Sequence, residues 1–201
     1  MTDLERAVVA VRTGGLAVIP TDTVYGLACD PHRADAVERL AELKGRTREQ
    51  PIALVAASVE ELFERLPEVP GPLRVAVDAL LPGPYTLVLP NPAQRFPWLA
   101  GARPDTLGVR VPAVTGIAKA LLETLDVVAA TSANLHGGDD PSRLDEVPSE
   151  IAHAAAMVDA GPLPGVPSTV LDLTQPEPTV VREGAAPAAE ALAQVHRLLR
   201  Q

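Results

Sequence analysis

Aromatic residues are almost missing from this chain: two Phe, two Tyr and one Trp in 201 residues. Val, Leu, Ala and Ile must therefore fill the core, for which a hydrophobic content of 47% is ample. So few rings also leave little to stack on single-stranded bases. Cysteine occurs once, as Cys29, which excludes an intramolecular disulfide and a thiolate cluster for a structural metal. Cys29 lies in an apolar run and reads as a small core residue rather than a nucleophile. The four histidines form no ligand-spaced group, so no metal site is expected. No apolar run approaches the roughly 20 residues that cross a bilayer, and residues 1–10 are too charged for a signal peptide. The expectation is a soluble, reduced, cytoplasmic protein with no membrane partner.

Several chemical signatures are missing as well. The chain has no Gly-x-x-x-x-Gly-Lys-Ser/Thr loop, no Gly-x-Gly-x-x-Gly and no Gly-x-Ser-x-Gly elbow. A P-loop ATPase, a Rossmann dehydrogenase and an α/β-hydrolase are thereby disfavoured. A net charge of −9 argues against a general nucleic-acid or membrane-surface binder, so tRNA contact is not implied by charge. A local basic cleft remains compatible with that balance. Lysine is rare too, with only Lys44 and Lys119 among 17 basic residues. A lysine at a loop mouth in an arginine-rich chain suggests that a compact ammonium is wanted there.

What is present alternates helical and strand patterns. Apolar spacing predicts helices over 3–12, 34–43, 58–65, 70–81, 115–125 and 185–201, with Gly45 as a C-cap and Ser58 as an N-cap. Short apolar or β-rich runs predict strands over 16–19, 52–55, 86–89, 107–112, 127–130, 155–159, 168–173 and 179–184. The last two are close enough to pair antiparallel. Residues 91–106 and 161–167 have loop composition, as do 137–141. Alternation in 107–112 sets Arg110 opposite its apolar neighbours, where it needs a partner anion or a solvent-open face. The expected fold is one α/β domain over 1–201, a twisted mixed sheet flanked by helices.

Polar tips recur where these elements end: Thr21-Asp22-Thr23, Lys44 to Arg48, Thr86, Arg110, Thr131-Ser132-Ala133-Asn134, Ser168-Thr169 and Arg182. Each has a bland alternative as a turn, a solvated helix end or a surface arginine. Together they combine cations, hydroxyls and an amide, the equipment that holds carboxylates and phosphates.

Seven segments stand in an order that resembles a known family. They are Pro20-Thr21-Asp22-Thr23-Val24-Tyr25-Gly26-Leu27, Lys44-x-Arg46 with Pro51, Pro82-Gly83-Pro84-x-Thr86, Gly108-Val109-Arg110-Val111-Pro112, Ser132-Ala133-Asn134, Pro167-Ser168-Thr169-Val170 and Val181-Arg182-Glu183-Gly184. The chain resembles the YrdC/Sua5 family, the L-threonylcarbamoyladenylate synthases, over about 14–185. That resemblance implies an open, positively charged cavity. It also implies a nucleotidyltransferase that joins L-threonine, bicarbonate and ATP into threonylcarbamoyl-AMP and pyrophosphate. The product would serve threonylcarbamoylation of adenosine 37 in tRNA, through transfer partners of that machinery. Carried over residue by residue, Lys44, Arg46, Ser132 and Asn134 match the Lys-x-Arg and Ser-x-Asn catalytic tetrad. Arg48, Arg110, Ser168 and Arg182 are expected at the nucleotide, and Thr23, Tyr25 and Thr86 at the substrate. Mg2+ is expected to arrive mostly on the ATP phosphates.

Two departures stand out. Gln50 occupies a position where many relatives carry lysine, and Thr47 one where proline is common; loss of that third cation is expected either to weaken phosphate binding or to make Arg48 its substitute. The resemblance covers the catalytic domain, so whatever the second C-terminal domain of the longer members does is expected to be absent or supplied otherwise. A non-catalytic RNA-binding module is the rival from another class, weakened by the acidic charge and the scarcity of rings. A carbamoyl-transfer domain of the kind within hydrogenase maturation proteins lacks its accompanying cysteines here.

Overall fold

Alternation and helical spacing translate directly into layers. The computed structural model describes residues 1–200; the expected helix end at Gln201 lies outside the described residues. The chain runs α1 (Asp3–Arg12), β1 (Leu16–Ile19), β2 (Gly26–Cys29), α2 (Ala34–Lys44), β3 (Ala53–Ala56), α3 (Val59–Arg65), α4 (Gly71–Leu80) and β4 (Tyr85–Pro90). It continues through β5 (Thr106–Arg110), α5 (Gly116–Leu125), β6 (Val127–Ser132), α6 (Ser149–Ala154), β7 (Ala155–Met157), β8 (Thr169–Asp172), β9 (Thr179–Arg182) and α7 (Ala188–Leu199). Helix ends follow the expected chemistry. Ser58 accepts from the Glu61 amide at 3.1 Å, and Gly45 closes α2 at φ 67°.

All nine strands form one mixed sheet, ordered β7-β1-β2-β6-β3-β5-β4-β8-β9. Parallel pairs are β1/β7, β3/β5 and β4/β8; the remaining neighbours are antiparallel, including the β8/β9 pair expected from sequence. Leu27, Leu54, Leu87, Leu89, Leu107, Val109 and Leu171 point to one face, packing against α2, α3, α4, α6 and α7. On the opposite face Ala17, Ile19, Ala28, Val55, Val128 and Ala130 pack against α1 and α5. That second layer stops near β3. Beyond it the alternate residues Thr86, Val88, Gly108, Arg110, Val170 and Asp172 line an open cleft instead.

Three local differences from the sequence expectations matter. The four-residue apolar stretch 26–29 is a strand, too short and uniform to show a period. A helix of six residues, α6, fills a stretch where no periodicity could register. Strand β6 runs on to Ser132, so Thr131 and Ser132 belong to the strand rather than to a loop tip. Cys29 is fully buried, as expected of a small core residue, and burial pushes its thiol up to about 12. No helix among the described residues is long and apolar enough to cross a membrane.

Leu54 sits in the central strand β3 and is fully buried. Leu54→Ala should cost about 2–5 kcal/mol in urea unfolding, whereas truncation of exposed Val9 should stay within about 0.5 kcal/mol. Equal midpoints for the two variants would refute this layer assignment.

Candidate active site

The cleft has a volume of ≈ 610 Å³ and runs across β6, β3, β5, β4, β8 and β9. Its floor is strand residues of the helix-free face; its walls are the loops that follow strand or helix ends. Four arginines line it, Arg46, Arg103, Arg110 and Arg182, against three carboxylates, Glu49, Asp140 and Asp172.

At one end the turn after β1 is stitched to the end of β5. Thr21 Oγ1 accepts from the Thr23 amide at 3.2 Å and donates to the Val24 carbonyl at 2.7 Å, a hydroxyl turn. The Arg110 guanidinium donates to Asp22 and, at 2.7 Å, to Thr23 Oγ1. Asp22 also accepts from the Ala113 amide at 2.9 Å. The Arg110 and Asp22 side chains are only 10% and 9% exposed, so Asp22 is the partner anion that the arginine required. Burial works against the Arg110 charge and Asp22 opposes that effect. Its Nε remains buried without a hydrogen-bond partner.

The Lys-x-Arg and Ser-x-Asn residues do meet, though not all at the cleft surface. Lys44 projects from the last turn of α2 beneath the Ser132–Asn134 turn. Its ammonium donates to the Ser132 carbonyl, to the Asn134 carbonyl at 2.6 Å and to Asn134 Oδ1 at 2.7 Å. Ser132 Oγ donates to Asn134 Oδ1 at 2.7 Å, and Asn134 Nδ2 donates to the Gly138 carbonyl at 2.6 Å. The 137–141 segment is thereby tied down, with the Pro141 carbonyl accepting from the Tyr25 amide at 2.9 Å. Arg46 and Ser132 line the cleft, whereas Lys44 and Asn134 lie under it. Arg46 donates to Thr131 Oγ1 at 2.7 Å and to the Pro51 carbonyl at 2.9 Å, while its Nε is buried and unpartnered. Burial, then Arg46, pull the Lys44 ammonium down to about 8, with Asp140 opposing.

On the far wall Thr86, Ser168 and Arg182 come together. Thr86 and Ser168 hydroxyls are 2.8 Å apart, and Arg182 donates to the Ser168 carbonyl at 2.7 Å. Gly184 is required here, because a Cβ would collide with the Pro167 and Ser168 backbone.

Three further expected site residues lie off the cleft surface. Thr23 is fully buried, its hydroxyl accepting from Arg110 instead of facing the cleft. The Arg48 side chain is 86% exposed and paired with Glu38. Gln50 accepts from the Thr47 amide at 3.0 Å, so this departure closes a turn and presents no charge to the cleft. Tyr25 is fully buried and does not line the cleft; its hydroxyl donates to Gly161 O and Asp159, at 2.8 and 3.0 Å, bracing the 159–161 segment. Conversely, Arg103, Asp172 and Asp140 line the cleft without having been singled out. Arg103 sits in a stretch whose Pro/Gly content signals only a connector.

A profile of the Sua5/YciO/YrdC proteins, with the description "Telomere recombination", matches residues 9–184. The chain belongs to this family. Sua5 of Pyrococcus abyssi in complex with L-threonine superposes with a TM-score of 0.84 at 33% identity, over 97% of this chain and 58% of that one. The threonylcarbamoyl-AMP synthase of the same organism is 36% identical over 90% of this chain and 53% of its own length. That of Halorhodospira halophila is 41% identical over 65% of this chain and 68% of its own. The chain thus spans about half the length of the archaeal relative.

Two outcomes test this geometry. Asp22→Ala leaves Arg110 buried and unpaired and should cost about 3–5 kcal/mol by urea denaturation. Lys119→Arg leaves Lys44 as the one lysine, whose ε resonance should titrate with a midpoint near 8. By linkage, the unfolded chain binds more protons than the folded one above that midpoint, so this group adds stability as pH rises toward 10.5. A midpoint near 10.5 would show that the carbonyl acceptors outweigh burial.

Proposed function

We propose that this Sua5/YciO/YrdC chain is a nucleotidyltransferase that makes L-threonylcarbamoyl-AMP and pyrophosphate from L-threonine, bicarbonate and ATP, in the cytoplasm. The product would serve threonylcarbamoylation of adenosine 37 in tRNA. One observation carries the proposal. Arg46 and Arg182 face the cleft with no carboxylate within 4.0 Å among the described residues, and the buried Nε groups of Arg46 and Arg110 call for an acceptor. Such donors suit phosphate and carboxylate oxygens. The names of the relatives and the L-threonine held by P. abyssi Sua5 support the same choice of substrates.

The chemistry needs little from the protein beyond alignment and charge neutralisation. Threonine ammonium and bicarbonate give the carbamate and hydronium. A carbamate oxygen then attacks the α-phosphorus, and the bond to the β-phosphate oxygen breaks to release pyrophosphate. Arg46 and Arg182 neutralise phosphate charge, and Ser132, Thr86 and Ser168 supply hydroxyl contacts. Arg110, held by Asp22 beside Thr23, presents its free donor to an anionic oxygen. Lys44 and Asn134 act from beneath by holding the Ser132 turn. No group of three or more His, Cys, Asp or Glu among the described residues is arranged to hold a metal. Magnesium would therefore be carried by the triphosphate, where it adds Lewis-acid polarisation.

Pyrophosphate release from the purified chain with ATP, bicarbonate and Mg2+ should depend on L-threonine. Arg46→Ala and Arg182→Ala should each lower it by about 100-fold with the fold retained. Release that is indifferent to threonine would overturn the assignment and favour the RNA-binding alternative.

A further inference from the structure

None of the five aromatic side chains lines the cleft, yet a nucleotide base needs a flat surface to rest on. We propose that Arg103, held edge-on by Asp172 and Thr174, is the platform on which the purine of the nucleotide stacks. This rests on the reading of ATP as a substrate.

The arrangement is a built one. Arg103 lies in the loop before β5, and its guanidinium donates to Asp172 Oδ2 at 2.7 Å and to Thr174 Oγ1 at 2.9 Å. Thr174 is itself fixed, since its hydroxyl and amide donate to Asp172 Oδ1 at 2.5 and 2.9 Å. The loop backbone is pinned at the same place: the Arg103 carbonyl accepts from the Thr106 amide at 3.0 Å and from its hydroxyl at 2.9 Å. Hydrogen bonds to a guanidinium lie in its plane, so engaging two nitrogens along one edge leaves a face for the cleft. The Asp172 carboxylate is only 12% exposed and neutralises the arginine charge. This end of the cleft is therefore poorly suited to phosphate. Its other surfaces are Val88, Val170 and Gly108, with exposed Val181 at the rim. Added bulk on Gly108 would meet only Thr86, at 3.8 Å, so the floor there is flat and open. The carboxylate-free cations stand elsewhere. Arg182 pairs in register with Val170, two residues along β8 from Asp172, and Arg46 meets Thr131 Oγ1 on β6, across β3, β5 and β4 from β8. A base at Arg103 and phosphates toward Arg46 and Arg182 follow from that polarity. Planar arginine stacking on a ring is favourable and needs no aromatic residue.

The test compares Mg-ATP with Mg-tripolyphosphate, both by calorimetry, on the full chain and on Arg103→Ala, Arg103→Lys and Arg103→Tyr proteins. Arg103→Ala should weaken ATP binding about tenfold and leave tripolyphosphate unchanged. Lysine keeps the charge but has no flat face, so Arg103→Lys should not restore ATP affinity, whereas Arg103→Tyr should do so in part. Quenching of 2-aminopurine riboside triphosphate fluorescence on binding should be lost in the alanine and lysine proteins. Equal losses for both ligands, or full rescue by lysine, would make Arg103 a phosphate contact and overturn the platform. Unchanged ATP affinity in Arg103→Ala would overturn it as well. An unsubstituted chain that binds tripolyphosphate and ATP equally would overturn base recognition here, while one that binds neither would remove the ATP reading itself.

Discussion

Only half of one sheet face is covered by helices. The α1 and α5 layer packs over β1, β2 and β6 and ends near β3, so the same face of β5, β4 and β8 meets solvent. Much of the rest follows from that missing layer. On these strands the inward residues remain leucine and valine, while the alternate positions carry threonine, glycine, arginine and aspartate beside Val88 and Val170. A strand buried on one face and wet on the other must alternate, and here the wet positions carry the chemistry.

Charges gathered around such a cleft need partners, and the partners shape it. The Asp22–Arg110 pair ties the turn after β1 to the end of β5, although these strands are not neighbours in the sheet. Carbonyl oxygens rather than carboxylates satisfy Lys44, which holds the Ser132–Asn134 turn without cancelling positive charge near the site. Arg46 and Arg182 are treated in the same way, by hydroxyls and main-chain oxygens. An acidic body of net charge −9 can thus keep a local cationic surface, because the neutral acceptors orient the cations and leave their charge available. Arg103 is the contrasting case, its charge met by Asp172.

Strong local signals were legible along the chain. Caps at Ser58 and Gly45, the apolar strand runs and the helical spacings all correspond to elements of the structure. Polar tips at 21–23, 131–134 and 168–169 pointed to a cleft because strand ends expose loops. Elements with less than one period of pattern, such as β2 and α6, were not legible. Neither was the burial of Tyr25, whose aromatic ring and hydroxyl suit a cleft wall and a braced core position equally well.

The sequence by itself determined the mixed α/β class, the core composition, the membership suggested by seven ordered segments and the identity of the cations. Local pattern suffices for these, since capping, periodicity and residue chemistry act within a few positions. Tertiary structure alone decided which cations face the cleft and which anion or carbonyl each one meets. Lys44 finds its acceptors about 90 residues away, Arg110 finds Asp22 at a separation of 88, and Arg103 finds Asp172 at 69. No local rule sets such pairings, because they arise from strand order and from the half of the sheet that helices leave open.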